Sequence, residues 1–419
     1  MEYIYINGSS KVAVEKEGEI ITKVFIDGVQ EKFEGNDAPD KSAYAIKTKR
    51  NKYIQFLNNQ FENLVILTGA GSSCGIGKNI LISGKDPEER KGKLLTQLWD
   101  DAVMLISQDR LNRFCELVRY EDKNDGDYIK NLEKLLSCAN AAKEYVEDAE
   151  VDVTKKIVIN DIILSIEKLI KEKCELILPE NSPHEMFLEK IAKRKVTLPR
   201  AKIFTLNYDT LFEQAGRKKN FTIIDGFSFS FPRVFSGRNF DYDIVLRDKS
   251  RVKEEDNFIN RVFHLYKPHG SVDWERKDGV INQSENVEKA LMIYPKDSKY
   301  ESSYEQPFFE MMSRFQQSLR KENIMLICIG FSFNDKHIVT AVKEALEQNP
   351  SFQLMVINKG IDTSDNFKWL YDLSQNHSNI VLVDELFSDF SKYYPDLKSY
   401  NQYEQNKIII SSSEGKHER

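Results

Sequence analysis

The sequence predicts an α/β protein with a doubly wound parallel, Rossmann-like sheet, a large helical insertion and a small N-terminal β module. Three observations lead to this fold class. Short apolar runs alternate with helical stretches over the second half of the chain, which is typical of parallel sheets with helices on both faces. About one hundred residues before them have helical spacing and little strand pattern. The first residues alternate apolar and polar side chains between turn-forming dipeptides.

The N-terminal module, residues 1–38, is predicted to contain three or four short strands. Asn7-Gly8 and Asp27-Gly28 separate its apolar runs, and both dipeptides suit tight hairpin turns that need a positive φ. Strands this few and short bury little core, so we expect the module to pack on the main body or on another subunit. Exposed strand edges pair readily with other chains, which favours a homo-oligomer.

The first part of the sheet domain, residues 39–92, is predicted to begin with a helix over about residues 41–59. Its basic residues could touch an acidic partner, although a solvated helix face is the favoured interpretation. These residues are Lys47, Lys49, Arg50 and Lys52.

Residues 93–195 are predicted to form an all-helical insertion, because apolar side chains recur every three or four positions. The sheet domain then resumes over residues 196–400, and a polar tail at 401–419 is expected to be disordered. The strands predicted in the resumed domain are 201–206, 222–224, 262–266, 291–294, 324–329, 354–357 and 380–383.

Composition limits the class of protein. Of 419 residues, 41% are hydrophobic and 30% are charged, which fits a globular chain and argues against collagenous or disordered classes. A net charge of −6 argues against direct nucleic-acid binding. No apolar run reaches the ~18 residues that span a bilayer, and no secretory signal is expected. Five scattered cysteines suggest neither a zinc site nor a disulfide framework, so a reducing cytoplasm is the predicted location.

The strongest motif is a glycine-rich loop after the predicted buried strand 64–68. This glycine loop, residues 69–73, reads Gly69-Ala70-Gly71-Ser72-Ser73. Such a loop lets backbone N–H groups approach a pyrophosphate, and a following helix would offer its positive end. The spacing is not that of the dehydrogenase GxGxxG, and a tight strand-to-helix turn without a ligand remains the alternative.

Polar residues also follow four later strands. Asn207 can hold a ribose hydroxyl and a water, while Asp209 could orient a neighbour or cap the next helix. His269 has the strongest claim among six histidines to a constrained site, where it could act as a general base. A segment at 330–335 and Asn358 follow two further strands. Because the carboxyl ends of parallel strands meet at one edge of a sheet, these loops are predicted to form one pocket.

Together these motifs resemble the sirtuin (silent information regulator) family, in that family's order, over about residues 60–390. The resemblance implies NAD as the ligand, and it assigns the residues as follows. The NAD phosphates and adjacent ribose would contact Gly69, Ala70, Gly71 and Ser73. The nicotinamide ribose would lie beside Asn207 and Asp209, and His269 would be the catalytic base. The phosphate and adenosine ribose would contact Gly330 and Ser332, and the adenosine would lie beside Asn358.

Two departures from deacetylating sirtuins refine this resemblance. Gly77 is followed by Lys78-Asn79-Ile80 instead of that group's Gly-Ile-Pro-Asp-Phe-Arg stretch. No cysteine lies between Cys174 and Cys328, where those enzymes carry four zinc cysteines, so no metal is expected. The Asn-Tyr-Asp and Gly-Phe-Ser-Phe-Asn-Asp segments and the insertion are similar to the bacterial anti-phage defence branch, which hydrolyses NAD.

The resemblance therefore implies an NAD glycohydrolase that depletes NAD in anti-phage defence, under the control of a partner or an infection signal. Members of that branch often pair with a HerA-like DNA-translocating ATPase, and this chain has no nucleotide-triphosphate P-loop of its own. An NAD-dependent protein deacylase is the first alternative. A non-catalytic module that senses NAD or ADP-ribose through assembly is the second.

Overall fold

The computed structural model describes residues 1–33, 39–59, 61–79, 90–146, 148–245, 258–293 and 306–396. The predicted tail at 401–419 and most of the join after the N-terminal module lie outside these residues. The strands are β1 (Glu2–Asn7), β2 (Ser10–Glu17), β3 (Ile20–Ile26), β4 (Val29–Gln30), β5 (Asn63–Thr68), β6 (Lys123–Asn124), β7 (Asp127–Tyr128), β8 (Glu150–Asp152), β9 (Ile157–Val158), β10 (Lys202–Thr205), β11 (Thr222–Ile224), β12 (Arg233–Val234), β13 (Val262–Tyr266), β14 (Gly270–Ser271), β15 (Trp274–Lys277), β16 (Val280–Gln283), β17 (Leu291–Met292), β18 (Ile324–Ile329), β19 (Phe352–Asn358) and β20 (Ile380–Asp384).

The helices surround these strands. They are α1 (Lys41–Leu57), α2 (Leu95–Ile106), α3 (Gln108–Leu117), α4 (Leu132–Val146), α5 (Ile159–Cys174), α6 (Pro183–Ile191), α7 (Leu211–Lys218), α8 (Phe308–Leu319), α9 (Lys336–Gln348), α10 (Lys368–Ser374) and α11 (Phe387–Tyr393). Short 3₁₀ turns occur at Ala70–Ser72, Gly237–Asp241 and Asp365–Phe367. None of the helices in the described residues is long and apolar enough to cross a membrane.

One large sheet organises the described residues, in the order β11-β13-β10-β5-β18-β19-β20-β1-β2-β3-β4. The seven strands from β11 to β20 run parallel. Strand β5 is central among them, and its last residue Thr68 pairs with Thr205 on one side and Ile329 on the other. The loops that follow β5, β10 and β18 therefore leave the sheet at the same edge.

Helices cover both faces of this sheet, which confirms the doubly wound α/β class. Strand β18 is buried at every residue, as expected for a parallel strand with helices on both sides. Its side chains alternate between two hydrophobic cores. Met325 and Ile327 pack into the core that includes α1, α6, α7 and α11, whereas Leu326 and Cys328 pack into the core that includes α8, α9 and α10.

The N-terminal strands extend the same sheet as an antiparallel edge. Tyr5 of β1 pairs with Val383 of β20, and β2, β3 and β4 follow in order. Asp27 and Gly28, with φ of 52° and 87°, form the turn between β3 and β4. The first thirty residues thus share the main cores instead of forming a core of their own.

The basic residues of α1 are largely engaged within the chain. Lys49 is buried and donates to the carbonyl of Asp384 at 2.8 Å, and Arg50 donates to Glu385 at 3.0 Å. Lys52 pairs with Asp27 at 2.9 Å. The predicted solvated face is therefore wrong for these three residues, which attach the helix to the sheet. Lys47 is exposed.

The insertion has a hydrophobic core of its own, built by α2, α3, α4 and α5. It also contains two short hairpins, β6–β7 and β8–β9, so it is not all-helical as predicted. Helix α6, which the prediction included, packs instead into the main core through Phe187 and Leu188. Tyr208 and Val272 join the insertion's core, which seats the insertion on the loops that follow β10 and β13.

Candidate functional site

The glycine loop packs directly against the loop that follows β18. The N–H groups of Gly69 and Gly71 donate to the carbonyls of Ile329 and Gly330 at 3.0 and 2.9 Å. Gly330 has a φ of 60°, and a Cβ added there would lie 2.5 Å from backbone atoms of Gly71 and Ser72. Only glycine at position 330 allows this approach.

The glycine loop itself forms one 3₁₀ turn, and the described residues directly after it, 74–79, contain no helix. Ala70–Ser72 forms that turn, and the next α-helix in the described residues begins at Leu95. A long helix dipole directed at a phosphate is therefore not part of this loop. Its polar character comes from Ser72 and Ser73, whose side chains are buried.

Asn207 holds the glycine loop from the end of β10. Its Nδ2 lies 3.0 Å from the carbonyl oxygen of Gly69, 3.1 Å from Ser72 Oγ and 2.8 Å from Ser73 Oγ. Asp209 accepts from Ser73 Oγ at 2.7 Å and from the N–H of Leu211 at 3.0 Å. Asp209 thus orients a neighbour, Ser73, and also accepts the first N–H group of α7, whose N-cap residue is Thr210.

His269 reaches across this edge to the far side of the glycine loop. Its Nε2 lies 3.0 Å from Asp335 Oδ2, and the other oxygen of Asp335 accepts from the N–H of His337 at the start of α9. His269 follows β13 and Asp335 follows β18, and the two strands between them are β10 and β5. The pair therefore spans the ends of the strands that carry Asn207 and Gly69.

The surroundings of His269 make it a stronger proton acceptor than a free imidazole. Burial disfavours the imidazolium, but the hydrogen bond and charge of Asp335, together with the charge of Glu133, raise the pKa of His269. Because a carboxylate only accepts, Nε2 carries the hydrogen and Nδ1 is left to take a proton. Burial instead lowers the pKa of His184 to about 3 and that of His264 to about 4.

A buried lysine lies between these loops. Lys267 Nζ donates to Glu213 at 3.0 Å, to Ser271 Oγ at 2.7 Å and to the carbonyl of Asp209. The lysine and Glu213 are both buried. This cation joins the segment of His269 to the loop of Asn207, and its role was not predicted from the sequence. A lysine directly before the Pro-His-Gly turn was the available signal.

Replacing Lys267 with methionine is expected to destabilise the fold by about 3 kcal/mol, because Glu213 would be left buried without its partner. Urea unfolding followed by circular dichroism measures this loss. Adding Glu213→Leu to the variant should restore much of the stability, since an apolar pair replaces the ion pair. Lys168→Met, at an exposed pair on α5, is the matched control and should change little. If Lys267→Met and Lys168→Met lowered the free energy of unfolding by equally small amounts, the stabilising role of Lys267 would be contradicted.

The remaining predicted residues lie at the same edge. Asn358 donates to the carbonyl of Phe331 at 2.8 Å and so supports the loop after β18. Ser332 is exposed and Ala70 is half-buried. Within the described residues, no cluster of three or more histidine, cysteine or acidic side chains could hold a metal.

A cleft of about 1180 Å³ lies beside this edge, between α7, β11 and the small sheet of β12, β15 and β16. Phe231, Arg233 and Asp273 are among its lining residues. Its walls include none of the predicted site residues, so it is a competing location for a ligand.

Comparison with known proteins finds a family model that matches part of the chain. Residues 201–397 match the SIR2-like domain. That range contains Asn207, Asp209 and His269 with the loops after β18 and β19, and the match supports the resemblance to sirtuins. The glycine loop and the insertion precede it. No curated protein matches the chain. A solved structure described as "Structural Basis for the Mechanism and Regulation of Sir2 Enzymes" aligns with a TM-score of 0.39 and 10% sequence identity, over 83% of this chain and 96% of that chain.

Two acids beside His269 were not assigned from the sequence. Asp335 stands at the end of the segment 330–335, directly before α9, where an N-capping aspartate is common. Glu133 lies on α4 of the insertion, far along the chain, and no local pattern indicated it.

Replacing Asp335 with asparagine is expected to move the acid limb of activity to lower pH. His269 must be neutral to accept a proton, so activity falls as the pH drops through its pKa. Without the Asp335 charge that pKa is lower, and the neutral base persists to lower pH. The measurement is kcat/KM against pH for the NAD cleavage that the resemblance to sirtuins implies. Asp40→Asn, at the N-cap of α1, is the matched control because asparagine also caps helices. An acid limb unchanged in Asp335→Asn would contradict the pairing.

Proposed function

We propose that this chain is an NAD glycohydrolase that cleaves NAD to nicotinamide and ADP-ribose. The observation that supports the proposal is that an amide and an imidazole both lie in loops at one edge of the sheet. Asn207 is hydrogen-bonded to the glycine loop, and the His269–Asp335 pair spans the ends of the same strands. The match to the SIR2-like domain supports an NAD-related enzymatic function.

The proposed cleavage of NAD needs few groups besides Asn207 and His269. Breaking the bond between ribose C1′ and the pyridinium nitrogen releases neutral nicotinamide and leaves oxocarbenium character on the ribose. A water oxygen bonds to C1′, and its proton passes to Nδ1 of His269. Asn207 would hold the ribose or the water in place, and the hydroxyls of Ser72 and Ser73 would order the surrounding loop.

In the cell, the proposed role is NAD depletion during phage infection. An enzyme of this kind would harm its own host if unrestrained, so we propose that a partner or an infection signal controls it. A HerA-like DNA-translocating ATPase fits this role, since the chain carries a net charge of −6 and would leave DNA contacts to its partner. A homo-oligomer in the cytoplasm completes the proposal.

The test is nicotinamide release from NAD by the purified full chain, alone and with the ATPase and an activating signal. Chromatography of the products should show nicotinamide and ADP-ribose in equal amounts. No nicotinamide under any of these conditions would refute the proposal. Release that requires an acetyl-lysine peptide and yields acetyl-ADP-ribose would instead establish a deacylase.

A further inference from the structure

We propose that Glu133, on helix α4 of the insertion, is a positioning residue for His269 and acts through Tyr208. The insertion would then complete the candidate site instead of only covering it. This inference rests on the proposed NAD cleavage for its kinetic consequences, whereas its structural part is independent of the reaction.

The hydroxyl of Tyr208 makes the connection. It lies 2.9 Å from Glu133 Oε1 and 2.7 Å from the carbonyl oxygen of Ile293. The N–H of Ile293 donates to the carbonyl of His269 at 2.8 Å. One side chain therefore links α4, the loop after β10 and the backbone that carries the imidazole.

Tyr208 is well placed to transmit a movement of the insertion. It stands between Asn207 and Asp209 in the chain, and it is only 5% exposed. Its ring belongs to the insertion's hydrophobic core together with Val272, which lies three residues after His269. A shift of α4 would thus displace both the loop that carries Asn207 and the segment that carries His269.

The charges at this position agree with the geometry. Two carboxylates act on the imidazole, Asp335 from the cap of α9 and Glu133 from α4, and both raise the pKa of His269. Burial raises the pKa of Glu133, the charge of His269 and the Tyr208 hydrogen bond oppose this rise, and the charge of Asp335 adds to it.

Packing alone does not explain a glutamate here. Glu133 bonds to Tyr208, which belongs to the insertion's hydrophobic core together with Trp99, Phe114 and Ile163. Placing a carboxylate beside that core costs desolvation free energy that an apolar residue would avoid. A role toward the histidine accounts for this cost.

The direct test is an NMR titration of histidine side chains in the full chain, which needs no NAD. The resonance of His269 is assigned by its loss in His269→Ala. We expect a lower titration midpoint in Glu133→Gln, because a negative charge is removed. Tyr208→Phe should shift it in the same direction, since Glu133 loses the hydrogen bond that favours its charged form. Glu116→Gln, at an exposed position on α3, is the matched control and should match wild type.

Kinetics with NAD separate this inference from the proposed function. In Glu133→Gln, kcat at the high-pH plateau should fall about tenfold or more with little change in KM, because a misplaced base costs rate more than binding. The acid limb of activity should also move to lower pH.

Suppose that the wild type cleaves NAD and that Glu133→Gln and Tyr208→Phe both keep the wild-type titration midpoint of His269 and the wild-type pH profile. The inference about Glu133 is then overturned, and the proposed function stands. If no form cleaves NAD but the titration midpoint of His269 shifts, the proposed function fails and the link from Glu133 to His269 is supported. Should Glu133→Gln not fold, Tyr208→Phe alone decides in the same way.

Discussion

Replacing His269 with alanine should reduce nicotinamide release from NAD by roughly 10²–10⁴-fold, the contribution that a positioned general base makes. The attacking water would lose the imidazole that takes up its proton. The fold should survive, because His269 follows a strand and Asp335 keeps its hydrogen bonds to the start of α9. Steady-state rates and a thermal melt of the same preparation measure both effects.

The matched control for this variant is His377→Ala, which removes an exposed histidine away from the candidate site. It should retain wild-type activity. A folded His269→Ala variant with undiminished activity would contradict the assignment of the base. A variant that cleaves no NAD and yet retains the full cellular effect of the wild type would favour a sensing module.

Replacing Asn207 with alanine is expected to lower kcat/KM by about 100-fold. The reason is that the glycine loop and the ribose would lose the group that positions them relative to each other. The amide contacts three groups of that loop, so its removal loosens the loop as well as the ligand. Asn207→Asp should not rescue activity, since a carboxylate would face the carbonyl of Gly69 without a hydrogen to donate.

Asn349→Ala separates the loss of function from the loss of hydrogen bonds. Asn349 also donates to two backbone carbonyls, those of Leu319 and Lys321, but it does so at the end of α9. We expect a comparable change in the free energy of unfolding and no change in kcat/KM. Equal losses of activity in the two variants would show that Asn207 acts only through stability.

The sequence was sufficient to predict the parallel sheet and the edge at which the candidate residues lie. Near-continuous apolar runs such as 324–329 indicate buried strands, and the ends of parallel strands must meet on one side. For this reason Asn207, His269 and the glycine loop could be grouped before their contacts were known.

Other features depend on contacts between distant parts of the chain, which local patterns do not encode. Strand β1 pairs with β20, although the whole sheet domain lies between them in sequence. The basic residues of α1 look solvated by composition, but Lys49 is buried against Asp384 and Glu385. Glu133 is an ordinary helix residue until α4 is placed beside Tyr208.

The most direct measurement of the central claim is an experimental structure of the full chain in the His269→Ala form with NAD bound. The account predicts the dinucleotide across the glycine loop, with the nicotinamide ribose within hydrogen-bonding distance, about 2.6–3.2 Å, of Asn207 and facing position 269. NAD bound instead in the cleft lined by Phe231 and Asp273, with Asn207 contacting no part of it, would contradict the account.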